Sequence, residues 1–231
     1  MAIALAQAIP TKVFLNNESS KTLAFGSACT NGSRIVVALT YESRTVTISS
    51  VSDGTNTYAA DKEVVGAVGA PAESSAHIWS APNTSTSALT VTVTLSAPVY
   101  GYLEIYELKD GGGSAAVQVD STGGTASLDG SLTINANVTT VAANCAVIVV
   151  VNEYNNTTYA ADSGYTSLYR TAGSNNYHAQ EYNLDVGAAG AKTIAMGSSS
   201  NVAYYSAASV AYKLAASATV LNSRKLLLGV G

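Results

Sequence analysis

Charge is scarce in this sequence. Asp, Glu, Lys and Arg make up 11% of 231 residues, whereas a helical protein would carry more Glu, Lys, Arg and Leu on its helix faces. Basic residues number 11 against 15 acidic ones, and no window gathers enough of them to neutralise several phosphates, which argues against nucleic acid as a partner. Cysteine occurs only at Cys29 and Cys145, each beside an apolar strand candidate. So sparse a pair makes neither a disulfide framework nor a metal knuckle, and both read as small buried hydrophobes, with one bridge as the lesser alternative. Long apolar runs are missing too. The strongest, Ala146 to Val151, stops at Asn152 and Glu153, well short of the ~18 residues of a membrane helix, so no membrane partner is expected. The first ten residues have an Ala-x-Ala flavour but no positive segment, and their apolar stretch is too short for a secretory signal, so an uncleaved start is expected.

What remains is rich in Ser, Thr, Asn, Gly and Ala, with 47% hydrophobic residues, a mixture suited to strands and turns. Leu89, Val91, Val93 and Leu95 alternate with Thr90, Thr92 and Thr94, as do Val46 and Ile48 with Thr45, Thr47 and Ser49. Period two places one apolar face inward and one hydroxylated face toward water. Asp53-Gly54 follows as a hairpin-type turn in which glycine supplies the positive φ. About seven strand candidates per half, spaced by turn clusters, indicate sandwich or Greek-key folds.

Self-similarity divides the chain. Asn56-Thr57-Tyr58-Ala59-Ala60-Asp61 returns as Thr157-Thr158-Tyr159-Ala160-Ala161-Asp162, an offset of 101 residues from Tyr58 to Tyr159, and the same offset carries His77 onto His178. Ile35 to Leu39 corresponds to Val147 to Val151, and Tyr102 to Lys109 corresponds to Ala208 to Leu214. The expected fold is therefore all-β, with two tandem antiparallel β-sandwich halves of jelly-roll or Ig-like type related by an internal repeat. The expected boundaries are an N-terminal arm or short helix over 1–12, a first sandwich over 13–109, a glycine-rich linker over 110–114, a second sandwich over 115–215 and a C-terminal tail over 216–231. Leu221, Leu226, Leu227 and Leu228 make that tail costly to leave in water, so it is expected to dock on a partner subunit.

Catalytic chemistry is hard to find. Acid-base or nucleophilic catalysis needs a base beside a nucleophile, and the two imidazoles, His77 and His178, occupy equivalent repeat positions, which points to a structural role for both. The oxygens of Asp53-Gly54-Thr55-Asn56, or Asp61, would suit calcium, but the spacing is not that of an EF-hand and an Asp-Gly turn explains them without an ion. No motif joins Glu104, Glu107, Glu153 and Glu181 into a glycosidase pair. No cofactor or metal is expected. Exposed aromatics on sandwiches can bind glycans, and Trp79, Tyr100 and Tyr102 are the candidate platform for that alternative.

Taken together, Gly32 to Ala38, Ser50 to Tyr58, Ile78 to Asn83, the Leu89 to Leu95 alternation and Ala208 to Lys213 resemble a family of tandem β-sandwich repeats found in phage virion proteins and bacterial surface proteins. The resemblance spans about residues 20 to 214 and carries no catalytic motif. It implies a phage structural protein on the virion surface, made in the host cytoplasm, most simply a capsid decoration or cement protein whose partners are copies of itself and the major capsid protein. The alternative is a glycan-binding or adhesion module on a phage tail or cell surface.

Overall fold

The computed structural model describes residues 2–7, 12–68, 73–128, 133–154, 159–172, 177–198 and 204–216. Among them there is no helix, and every paired strand is antiparallel. The first half supplies β1 (Ile3–Leu5), β2 (Val13–Ala24), β3 (Arg34–Tyr41), β4 (Ile48–Ser52), β5 (Ala59–Val65), β6 (Ser75–Pro82) and β7 (Thr90–Asp110). The second supplies β8 (Val117–Ser127), β9 (Thr133–Asn135), β10 (Val138–Thr140), β11 (Ala146–Tyr154), β12 (Tyr159–Ala160) and β13 (Thr166–Ala172). It continues with β14 (Tyr177–Asn183), β15 (Gly190–Lys192), β16 (Ala195–Ser198) and β17 (Tyr204–Leu214).

The 21-residue β7 organises the first half. Its Thr90–Leu95 portion pairs with β4 and the end of β2, and its Val99–Asp110 portion pairs with β3, the start of β2 and β1. The ladders break around Pro98, which has no N–H to donate, so one strand can serve two layers. Leu89, Val91, Val93 and Leu95 turn inward, as their alternation predicts, and pack with Ile35, Val37, Leu39, Leu103 and Ile105 in the core of the first sandwich. The second half has its own core, in which Val147, Val149, Val151, Ala207 and Ala211 meet Ile134, Val138, Ile194 and Met196 from short covering strands.

A third core joins the halves. Val36, Ala38, Ala76, Ile78, Tyr106 and Leu108 pack against Ala146, Ile148, Val150, Ala208, Val210 and Tyr212. The large sheet of each half is thus buried on both faces, its odd-numbered β3 and β11 residues facing their own sandwich and its even-numbered ones facing the seam. This explains why both strands read as unbroken apolar runs although their sheets are antiparallel, a combination that one-sided burial would not produce. The halves share a core and form one four-layered body.

Strand order recurs between the large sheets, β2-β7-β3-β6-β5 in one and β8-β17-β11-β14-β13 in the other. The sequence echo does not follow that order throughout. Tyr58 leads into β5 of a large sheet, whereas Tyr159-Ala160 is β12, paired with β16 in a small one. The histidines also part company. His77 stands opposite Leu39 on the inner face of the first sandwich, while His178 stands opposite Asn152 on the seam face. In a strand, a one-residue difference in register exchanges the two faces, so equal spacing in sequence does not make them equivalent.

Two connections differ from expectation. Residues 3–5 form β1 on the end of β7 instead of an arm or helix, because Ile3, 2% exposed, completes the joint core. The 110–114 segment is a tied turn: the Asp110 carboxylate accepts from the Gly112 and Ala115 N–H groups, and the Gly111 N–H bonds the Ala2 carbonyl. Within β8, Gly123 lies so close to the chain that an added Cβ would sit 1.9 Å from the Asn137 carbonyl oxygen. Gly123→Ala should therefore cost about 2 kcal/mol in urea unfolding, while Gly112→Ala, with open space around it, should cost far less. Equal midpoints for the two variants would show that β8 is not clamped there.

Candidate functional site

The polar residues that carry chemistry converge on the seam between the sandwiches, in two clusters. In the first, Arg34 of β3 donates from Nε to Ser80 Oγ at 2.8 Å and from Nη1 to the Val117 carbonyl of the other half at 3.4 Å. A bulge in β5 between Ala60 and Lys62 turns Asp61 toward the seam. There Asp61 Oδ2 accepts from Ser80 Oγ and, at 2.9 Å, from the Tyr212 hydroxyl of β17. The second Arg34 nitrogen stands 3.9 Å from Asp61 Oδ1, and its guanidinium lies 5.9 Å from the Tyr212 ring centre. Burial raises the Asp61 carboxyl above its ordinary range, against the pull of Ser80, Tyr212 and Arg34.

The second cluster lies where β7 crosses β14. Thr40 Oγ1 and His178 Nδ1 are 2.7 Å apart, and the imidazole packs at 4.8 Å against the Tyr102 ring, over which Lys12 Nζ sits at 5.9 Å. Beside them the Tyr106 hydroxyl contacts Glu104 Oε2 of its own strand and Gln180 Oε1 across the seam. Asn152 Nδ2 donates to the Tyr41 carbonyl at 2.6 Å, and Ser74 and Ser206 join hydroxyls at 2.8 Å. Desolvation pushes His178 down to about 3 and Glu104 up to about 7, so each is held neutral in weakly acidic solution.

A hydroxyl bonded to an imidazole is the beginning of a nucleophile–base pair, but Thr40 and His178 are both 0% exposed. A substrate would have to part the sandwiches to reach them, so the contact serves as a tie between halves. His77 stacks on Tyr41 at 5.0 Å and pairs with Glu63 at 3.2 Å at the sheet edge. The four glutamates are all buried and serve different places. Glu107 accepts from the Thr30 N–H and from Gln7 Nε2, tying the N-terminal segment down, and Glu181 accepts from the Asp162 N–H at 3.0 Å. Burial raises Glu181 to about 7.

The Asp53 carboxylate is filled by the Thr55 and Asn56 N–H groups, the Asn56 amide and the Tyr58 hydroxyl, all within 2.9 Å. No group of three ligating side chains suited to a metal occurs among the described residues. Both cysteines are buried free thiols, and burial raises Cys145 to about 11. The aromatic platform does not assemble. Trp79 packs against the interior of the first sandwich, while Tyr102 faces the seam from the opposite side of the sheet and Tyr100 stacks on Phe14. A cleft of about 470 Å³ is lined by Asp162, Tyr165, Asn183, Asp185 and Lys192. Several of its polar groups are committed to the adjoining loop, with Asn183 Oδ1 accepting from the Asp185 N–H, Asp185 Oδ1 from the Gly187 N–H, and Lys192 Nζ donating to the Ala188 carbonyl. Leu221, Leu226, Leu227 and Leu228 lie outside the described residues.

Sequence reasoning did not single out Arg34, Thr40, Tyr106, Gln180 or Tyr212. A signal was present. An unbroken apolar run in an antiparallel sheet means a second buried face, and polar residues on that face of the neighbouring strands must then pair with something across it. Comparison of the chain with protein-family models, curated proteins and solved structures finds no match in any of the three.

Proposed function

We propose that this chain is a non-catalytic structural protein of a phage particle, of the capsid decoration or cement kind, acting as a rigid block that ties neighbouring subunits together. One observation carries the proposal: His77, His178, Glu104, Glu107, Glu153 and Glu181, side chains suited to acid-base work, are at most 3% exposed and are spent inside the cores and seam. The outward face of the β2, β4 and β7 layer is instead largely hydroxylated, with Ser20, Thr22, Ser50, Ser52 and Thr90 exposed and β2 carrying the Glu18–Lys21 ion pair. A stiff body with flat polar faces suits repeated contacts with a lattice, in which modest affinities add through many copies. The resemblance of residues 20–214 to virion sandwich repeats agrees with this role. The partners would be further copies of the chain and the major capsid protein on the virion surface, with the leucines of 216–231 supplying apolar area for the contact.

Size-exclusion chromatography with light scattering on the full chain and on a chain ending at residue 215 tests this reading. The full chain should run as a defined oligomer, and the shortened one as a folded monomer with an unchanged circular dichroism spectrum. A full chain that is monomeric and indifferent to the deletion would count against the lattice role, and glycan screening would then take precedence.

A further inference from the structure

The β7–β14 side of the seam contains an arrangement that a purely cohesive joint would not need. Glu104 is 2% exposed and sits among β-strands on both sides, with its Oε2 on the Tyr106 hydroxyl, which in turn meets Gln180 of the opposite half. A phenol has one proton to give. Three oxygens in a row, from carboxyl to phenol to amide, are best satisfied when the carboxyl brings a proton of its own, so that Glu104 donates to Tyr106 and Tyr106 donates to Gln180. We propose that this chain of three is a proton-operated latch, holding the two sandwiches together while Glu104 is neutral and loosening the seam when it ionises.

The surroundings support a neutral acid at this place. Just before β2, Lys12 contributes the nearest positive charge, but burial lowers its own affinity for a proton and its ammonium lies over the Tyr102 ring. On β7 itself the neighbours are Tyr102 and Tyr106, and on β3 they are Ala38, opposite Glu104 in register, and Thr40. On β14 they are Gln180 and His178, whose imidazole stays uncharged above about pH 3, and Tyr182, which packs on the joint core. Tyr169 of β13 stands opposite Gln180 in register, and Asn152 of β11 stands opposite His178. The Tyr106 hydroxyl and Lys12 both favour an ionised Glu104, but the loss of solvent on burial outweighs them. Burial places the transition near pH 7.

The latch is tested by hydrogen exchange on the full chain from pH 5.5 to 7.5, expressed as protection factors so that the intrinsic base-catalysed rate is removed. Measured relative to Glu104→Gln, which keeps the shape and the opposing titration of His178 but lacks that of Glu104, protection of the seam strand amides of Val36, Ala38, Ile148 and Val150 in the unaltered chain should fall roughly tenfold or more over this range, as expected for a proton bound tightly in the closed state and weakly in the open one. Val91 and Val93, in the outer layer of the first sandwich, should change much less. In Glu104→Gln itself, protection of the seam amides should rise over the range, because the His178 titration remains at the seam without its opponent. The Glu104 carboxyl carbon, followed by NMR in the unaltered chain, should titrate near 7 together with the loss of protection. A Glu104 that titrates in the ordinary carboxylate range, or a fall in protection that Glu104→Gln retains, overturns the proposal.

Discussion

Asp61→Ala should cost the fold about 3–5 kcal/mol, the scale set by breaking one partner out of a buried ion pair. The side chains of Arg34 and Asp61 are only 11% and 5% exposed. Removing the carboxylate strands three groups at once: the Arg34 guanidinium loses its counter-charge, Ser80 loses an acceptor, and the fully buried Tyr212 hydroxyl loses its partner in the first half. Each is left desolvated without compensation, which costs more than the original contacts were worth. Tyr212→Phe removes a single hydrogen bond and leaves the Arg34–Ser80–Asp61 chain intact, so its cost should be nearer 1 kcal/mol. Urea unfolding of the two variants beside the unaltered chain measures the difference. If Asp61→Ala were no worse than Tyr212→Phe, the cluster would be a rim contact and not an anchor of the seam.

Stability should be greatest near pH 4–5 and decline toward neutrality, which is unusual for a protein with buried histidine. Glu104 and Glu181 have folded-state values raised from 4.5 to about 7, so the folded chain keeps protons that the unfolded chain releases. Their contribution is fully present below about 4.5 and is lost as pH rises through about 7. His178 has the opposite sign. Its folded value falls from 6.5 to about 3, so the unfolded chain takes up a proton that the folded chain refuses, and stability is lost as pH drops from 6.5 toward 3. Asp53, Glu63 and Asp120, whose values are lowered, add to that acid loss.

Between pH 4.5 and 6.5 the single histidine offsets one glutamate and leaves the other, and above 6.5 both glutamates act together. The net decline from pH 4.5 to 7.5 is on the order of 3 kcal/mol. Chemical denaturation at half-unit pH intervals traces the curve. Glu104→Gln should flatten the falling limb and His178→Gln the acid limb. A stability plateau from 4.5 to 7.5, unchanged by Glu104→Gln, would mean that the seam admits enough water to solvate an ionised carboxylate.

Much of the architecture was legible residue by residue. The Val/Thr alternation from Leu89 to Leu95 specified which side chains turn inward, because in a strand that property depends only on parity. The Asp53-Gly54 turn likewise needs nothing outside its own few residues. The candidate site was harder to see. Trp79, Tyr100 and Tyr102 share a composition suited to a surface platform, but Trp79 belongs to one face of the sheet and Tyr102 to the other, where His178 and Lys12 meet it. Glu104 and Glu181 looked like unconnected strand glutamates, and their raised values come from the layers that close over them.

The sequence by itself determined that the chain is all-β and which residues alternate in its strands, since low charge, period two and turn residues act over short stretches of chain. The tertiary structure alone decided that the two large sheets lie against each other, that His77 and His178 face different interiors, and that Arg34, Asp61, Glu104, Tyr106, Gln180 and Tyr212 meet across one seam. The physical reason is that a strand has two faces. Parity assigns a residue to one of them, but whether that face meets water or another sheet depends on a partner a hundred residues away.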